Sequence, residues 1–226
     1  MRQPAVDYRT FRLSKLNEPQ FAHLKLLGGW IVYFGLYFLT ENLIPAERCA
    51  IVHCWLDDVI PFDEYFAVFY VGWYVLVFGS LAYYLLYDVA SFKKLQIYIM
   101  ITQAVAMACY ILFPTRQDLR PDVFVRENVF TYVIGFIYSF DTSTGVCPSL
   151  HVAYSIGILS VFMKDKTVSR LWKGFLTIVV VMISLSVCFV KQHSAVDVLA
   201  ALPVCALAEY LVYRKYWRQR RKVKSV

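Results

Sequence analysis

Six runs of mainly apolar residues divide the chain: Leu24 to Ile44, Tyr65 to Tyr87, Leu95 to Phe113, Ser149 to Met163, Gly174 to Val190 and Ala195 to Tyr213. A hydrocarbon core about 30 Å thick needs roughly 20 such residues per helical crossing, so runs of this kind restrict the fold to a membrane-embedded one. They are continuous, whereas barrel strands alternate apolar and polar positions, and helices are therefore expected. Composition agrees. At 59% hydrophobic residues and a mean hydropathy of +0.53, the 226-residue chain is more apolar than an average globular one. The expected fold class is all-α integral membrane, a single domain over residues 1–226 with six transmembrane helices in a bundle.

The basic residues predict orientation, because Lys and Arg are retained on the cytoplasmic side during insertion. One side collects the N-terminal segment (1–23), with Arg2, Arg9, Arg12 and Lys15. It also takes Lys93 and Lys94, then Lys164, Lys166, Arg170 and Lys173, and a basic tail (214–226) with Arg218, Arg220, Arg221 and Lys222. Arg48, Arg116, Arg120, Arg126 and Lys191 remain for the other side. With an even number of spans both termini are expected in the cytoplasm. The net charge of +7 is then largely a topology signal, the tail serving as an anchor beside anionic lipid rather than binding nucleic acid. The spread of basic residues before Leu24 does not resemble a cleavable signal peptide, so the first run is expected to remain.

The two longer connections fall outside on this topology. Pro45 to Glu64 is acidic and suits a lid or interfacial collar. Pro114 to Pro148 contains Val129 to Phe140, too short to span and expected to lie as an interfacial helix. The six cysteines form no metal-binding pattern; Cys49 and Cys54 could pair in an oxidising compartment, on spacing that is weak support. Trp73, Tyr74, Tyr83, Tyr84 and Tyr138 read as packing or interfacial anchors, with a route for a lipid chain as the other reading. Glu209, beside Arg214, reads as structural.

Ionisable residues at span ends are candidates for function, because a bilayer makes them costly. His151 opens the fourth run in Cys147-Pro148-Ser149-Leu150-His151, and His193 and Asp197 stand between the fifth and sixth. Four residues apart, His193 and Asp197 would share one face of a helix. A carboxylate on one imidazole nitrogen fixes the tautomer and leaves the other free to attack an electrophile. Arg116, Arg120 and Lys191 supply cations, and Ser149 lies at a helix start, where hydroxyl and amide groups can hold phosphate oxygens. Together these features suggest phosphoryl transfer.

In these residues the chain resembles the type-2 phosphatidic acid phosphatase superfamily, including its inositol phosphorylceramide synthase-like branch. That family has a basic segment ending in Arg-Pro, a Pro-Ser-x-His segment and a Ser-Arg-x5-His-x3-Asp segment. Here they correspond to Phe113 to Pro121, Pro148-Ser149-Leu150-His151, and Ser186-Val187 through His193 to Asp197. The resemblance implies that His193 attacks phosphorus to form a phosphohistidine, that Asp197 orients it, and that His151 protonates the departing alcohol. It assigns Arg120 and Ser149 to phosphoryl oxygens and requires neither metal nor other cofactor. Phe113 and Val187 stand where the family has cations, and Lys191 and Arg116 are candidates to replace them.

The expected function is therefore that of a lipid phosphatase acting on a phosphate monoester or pyrophosphate. Its substrate would be a phospholipid, an isoprenyl phosphate or a phosphosphingolipid, and its active site would be extracytoplasmic or lumenal. The alternative is a phosphotransferase moving a phospho-headgroup between lipids. A non-catalytic scaffold or transporter is the third reading. It is disfavoured because a scaffold has no need of a polar cluster at the interface, and because a transporter would carry charges deeper in several spans or broken paired helices.

Overall fold

The computed structural model describes residues 3–224, with side chains described through Arg214 and at Tyr216. Arg2 lies outside the described residues, as do the side chains of Arg218, Arg220, Arg221 and Lys222. The protein is a multi-pass membrane protein built from helices. Five of these are long and apolar enough to cross a bilayer: Ala22–Leu43, Glu64–Tyr87, Val89–Leu112, Arg170–Phe189 and Ala195–Arg214.

A 3-10 turn over Ala22–Leu27 leads into α1, Gly28–Leu43. The short α2, Trp55–Val59, lies in the first long connection, and α3 follows at Ala67–Tyr87. Asp88 accepts hydrogen bonds from the amides of Ala90 and Ser91 and so starts α4 at once, Val89–Leu112. This aspartate cap explains why α4 begins six residues before the apolar run that announces it. In the second long connection Asn128 caps α5, Val129–Phe140, which buries Thr131, Ile134 and Ile137 and exposes Tyr132 and Phe136. Then come α6, Leu150–Lys164, α7, Arg170–Phe189, and α8, Ala195–Lys224.

The most enclosed helix is also a short one. With 15 residues, α6 is about 22 Å long, yet it packs against α3, α4, α7 and α8. Gly157 makes the α4 contact possible, since a Cβ there would stand 2.4 Å from the ring of Tyr98. Small residues let helices approach closely where apolar surface gains nothing from leaving lipid. One end of α6 is fixed by polar groups, Lys164 pairing with Glu209 of α8 at 2.6 Å and Ser160 donating to the same carboxylate. Glu209 thus pairs with Lys164, in keeping with a structural role.

The N-terminal segment is folded onto the same end. Phe21 is fully buried, and the Tyr8 hydroxyl donates to the carbonyl of Leu85 and meets His23 Nε2. At the opposite end the long connections are knitted together. Strand β1, Ala50–Ile51, pairs in parallel with β2, Thr115–Arg116, and Arg116 bridges to Thr144. No strands were expected; these form because backbone groups leaving the helices pair with one another rather than remain unsatisfied. Cys49 and Cys54 are both free thiols.

Candidate functional site

The knitted end holds the histidines, and the chain reaches that geometry through two consecutive helix caps. α7 ends in a Schellman motif: Gln192 N donates to Val187 O and Lys191 N to Cys188 O, with Lys191 at φ 52°. Glycine is usual at that position because a Cβ is strained there. Lys191 is held there through its own side chain, its Nζ donating to the carbonyls of Asp57 (2.9 Å) and Ile60 (2.5 Å).

Three residues after Lys191, Ser194 caps α8, which begins at Ala195. The Ser194 hydroxyl accepts from Val196 N, and Asp197 Oδ2 accepts from Ser194 N at 3.0 Å. The same oxygen lies 3.2 Å from His193 Nδ1. His193 therefore precedes the helix, and the cap brings it to Asp197 where a shared helical face was expected. Its Nδ1 being occupied, Nε2 is the nitrogen available for chemistry. Asp197 is fully buried.

Asp57 secures this corner from outside. Its carboxylate accepts from Ser194 Oγ (2.5 Å), Ala195 N (2.8 Å) and Cys54 N (2.8 Å). Burial alone would raise its pKa, but the hydrogen bonds from Ser194, Ala195 and Cys54 outweigh that and hold it below the ordinary carboxylate value.

His151 arrives on the first turn of α6, capped by Ser149, whose amide donates to the backbone carbonyl of Asp197 at 3.1 Å. The Tyr110 hydroxyl holds Pro148 O at 2.7 Å. The His151 ring packs against Tyr70 and Trp73, with centroids 4.6 and 4.2 Å away, and faces His193 at 5.7 Å and 67°. Among the described residues His151 Nε2 and Ser149 Oγ are buried without partners, a state that ordinarily calls for a ligand, a water or a catalytic role.

Both imidazoles border one cavity of about 340 Å³ between α1 and α3. Its walls are largely aromatic, with Trp30, Tyr33 and Tyr37 from α1 and Trp73 and Tyr74 from α3. Tyr83 and Tyr84 are not part of it; they pack on Phe162. None of Ser149, Arg116, Arg120 or Lys191 lines the cavity. Arg116 pairs with Asp118 at 2.5 Å. Arg120 lies over the Tyr138 ring at 4.3 Å and donates to Asp141 O and Gln192 Oε1, both at 2.6 Å. Burial pushes its pKa down, against the pull of Tyr138 and Asp141. Phe113 is exposed and Val187 fully buried.

Three residues that sequence reasoning passed over complete the site. Asp57 looked like any other acid of its loop. Gln192 is buried and links Arg120 to the Asp141 carboxylate, donating to the latter at 2.9 Å. Asp141, which also accepts from Tyr37 (3.2 Å) and Tyr70 (3.0 Å), borders the cavity. A signal for it existed, since it is the sole Asp, Glu, Lys or Arg between Val129 and Cys147. Among the described residues no cluster of His, Cys, Asp and Glu has the arrangement of a metal site. Set against models of known protein families, curated proteins and solved structures, the chain matches none.

Proposed function

We propose that this chain is a six-span membrane enzyme, both termini cytoplasmic, that transfers phosphoryl groups on lipids through a covalent phosphohistidine at His193. The observation that carries the reading is the pair of facing imidazoles on one aromatic cavity, one of them with Nδ1 held by a buried carboxylate. In the first step His193 Nε2 forms a bond to phosphorus as the bond from phosphorus to the lipid oxygen breaks. Protonated His151 gives its proton to that oxygen. In the second step neutral His151 takes a proton from the attacking hydroxyl, whose oxygen displaces His193 from phosphorus. Asp197 fixes the His193 tautomer and stabilises the positive charge that develops on the ring. The N-terminal end of α6 opens onto the cavity through Leu150 and His151 and favours negative charge there.

In this reading α6 makes the remaining crossing, its shortfall in length covered by the knitted connections, and α5 lies in the headgroup layer. The histidine end then faces outward or into a lumen, and the scissile phosphate sits at headgroup depth. Water as acceptor gives a lipid phosphatase; a second lipid alcohol gives a phosphotransferase. One observation favours the transfer of a phosphodiester headgroup. None of Arg116, Arg120 and Lys191 lines the cavity, so a singly charged diester suits the walls better than a doubly charged monoester.

The test is turnover of a panel of lipid phosphomonoesters and diesters by purified protein, with and without an alcohol acceptor. His193→Ala is expected to abolish activity, and His151→Ala to reduce it on the order of a hundredfold or more, with both proteins still folded in detergent. Normal turnover by both variants rejects the mechanism.

A further inference from the structure

The cavity wall has an unusual combination of groups for a site that handles phosphate. Among the described residues its lining includes one carboxylate, Asp141, and no Lys or Arg. Asp141 forms no salt bridge within 4.0 Å among those residues, and its three hydrogen bonds come from neutral donors, Tyr37, Tyr70 and Gln192. Arg120 touches the backbone carbonyl of Asp141, not its carboxylate, and its guanidinium lies over Tyr138, outside the lining. A carboxylate thus borders a space walled by aromatic rings. Tyr33 and Tyr37 stand 6.0 Å apart on one side, and Trp73 meets Tyr74 edge-to-face at 4.9 Å on the other.

Aromatic faces beside a carboxylate attract an organic cation, and most strongly one that is already poorly hydrated. A polyol is matched less well. Its hydroxyls need open hydrogen-bond partners, but three of the roughly four acceptor positions on Asp141 are taken, and Gln192 is committed at both ends. A quaternary ammonium has no N–H to satisfy and asks only for ring faces and field.

Building on the phosphoryl-transfer reading, we propose that this cavity selects lipid donors whose phosphate carries a quaternary ammonium headgroup of the phosphocholine type. The phosphate would lie at His193 and His151 and the trimethylammonium between Asp141 and the rings. The substrate then brings its own positive charge to a wall that supplies none.

The experiment measures binding separately from chemistry. The His193→Ala protein in detergent is titrated with chain-matched, labelled short-chain lipids bearing phosphocholine, phosphoinositol or a simple phosphate monoester, and the wild type is assayed for turnover of the same three. The expected result is binding of the phosphocholine lipid about tenfold tighter than either competitor, displaced by tetramethylammonium. Adding Asp141→Asn or Tyr74→Leu should reduce that preference to about threefold or less. If Asp141→Asn does not fold, Tyr74→Leu and the tetramethylammonium competition decide. Equal or tighter binding of the phosphoinositol lipid or the monoester overturns the proposal, as does a preference untouched by both substitutions. A clear preference without turnover of any lipid would defeat the phosphoryl-transfer reading and leave the cation site standing. Turnover through His193 without the preference would do the reverse.

Discussion

At the scale of single residues, the site depends on Asp57 as much as on the groups facing the cavity. Its carboxylate gathers two donors at the start of α8 and a third from Cys54 at the start of α2, and its backbone carbonyl receives Lys191. The His193–Asp197 contact is built on the turn between these two. Because the folded protein holds the Asp57 carboxyl below its ordinary value of 3.8, its contribution to stability is complete above the unfolded pKa. That contribution is lost as pH falls through the lower, folded value. Asp57→Asn is therefore expected to cost about 1–3 kcal/mol at neutral pH. The gap between thermal melts of variant and wild type in detergent should begin to narrow below about pH 4 and close only below the folded pKa. A gap that stayed constant down to pH 3 would contradict this account of Asp57. Lys191 was a candidate phosphate ligand in the sequence, being basic and two residues from His193. The structure engages its ammonium with two loop carbonyls, a use no linear spacing encodes.

At the scale of elements, the caps carry more information than the apolar runs. Hydropathy places five spanning helices to within a few residues, with α4 extended by the Asp88 cap and α8 continuing past its apolar part. Val129 to Phe140 is a helix with the bounds its apolar stretch suggests. The pairing of strands β1 and β2 was not legible, because two-residue strands have no periodicity to read. The placement of Asp57 and Asp141 was hidden for a related reason: both contacts join segments more than 50 residues apart. The four-residue spacing of His193 and Asp197 did predict their contact, but the structure makes it across the start of α8 and not on a shared helical face. The seam between α4 and α6 gives a prediction at this scale. Gly157→Ala would force a Cβ against Tyr98 and should destabilise the protein by about 1–3 kcal/mol. Gly174→Ala, with open space around it, should be neutral or slightly stabilising. Equal melting temperatures for the two variants would mean that α6 does not depend on this close approach.

At the scale of the whole molecule, charge and geometry assign the two ends different roles. One end is tied by Lys164–Glu209 and by the docked N-terminal segment. The other holds the imidazoles and the woven connections that form its cover. In the proposed orientation, Glu47 in the cover is outside and Lys166 inside; both are exposed. Single cysteines, Glu47→Cys and Lys166→Cys in a cysteine-free background, should differ in reaction with a membrane-impermeant maleimide on intact cells. With the histidine end at the cell surface, the first is expected to label directly and the second only after permeabilisation. The opposite pattern would invert the site and the substrate leaflet.

The covalent intermediate is the most direct test of the central claim. Purified protein incubated briefly with a lipid labelled with radiophosphorus at the phosphate, quenched in alkali and digested, should yield an acid-labile, base-stable label on the peptide containing His193. His193→Ala should carry none, and His151→Ala should slow the labelling. Turnover with no labelled histidine, or label retained in His193→Ala, would contradict the account.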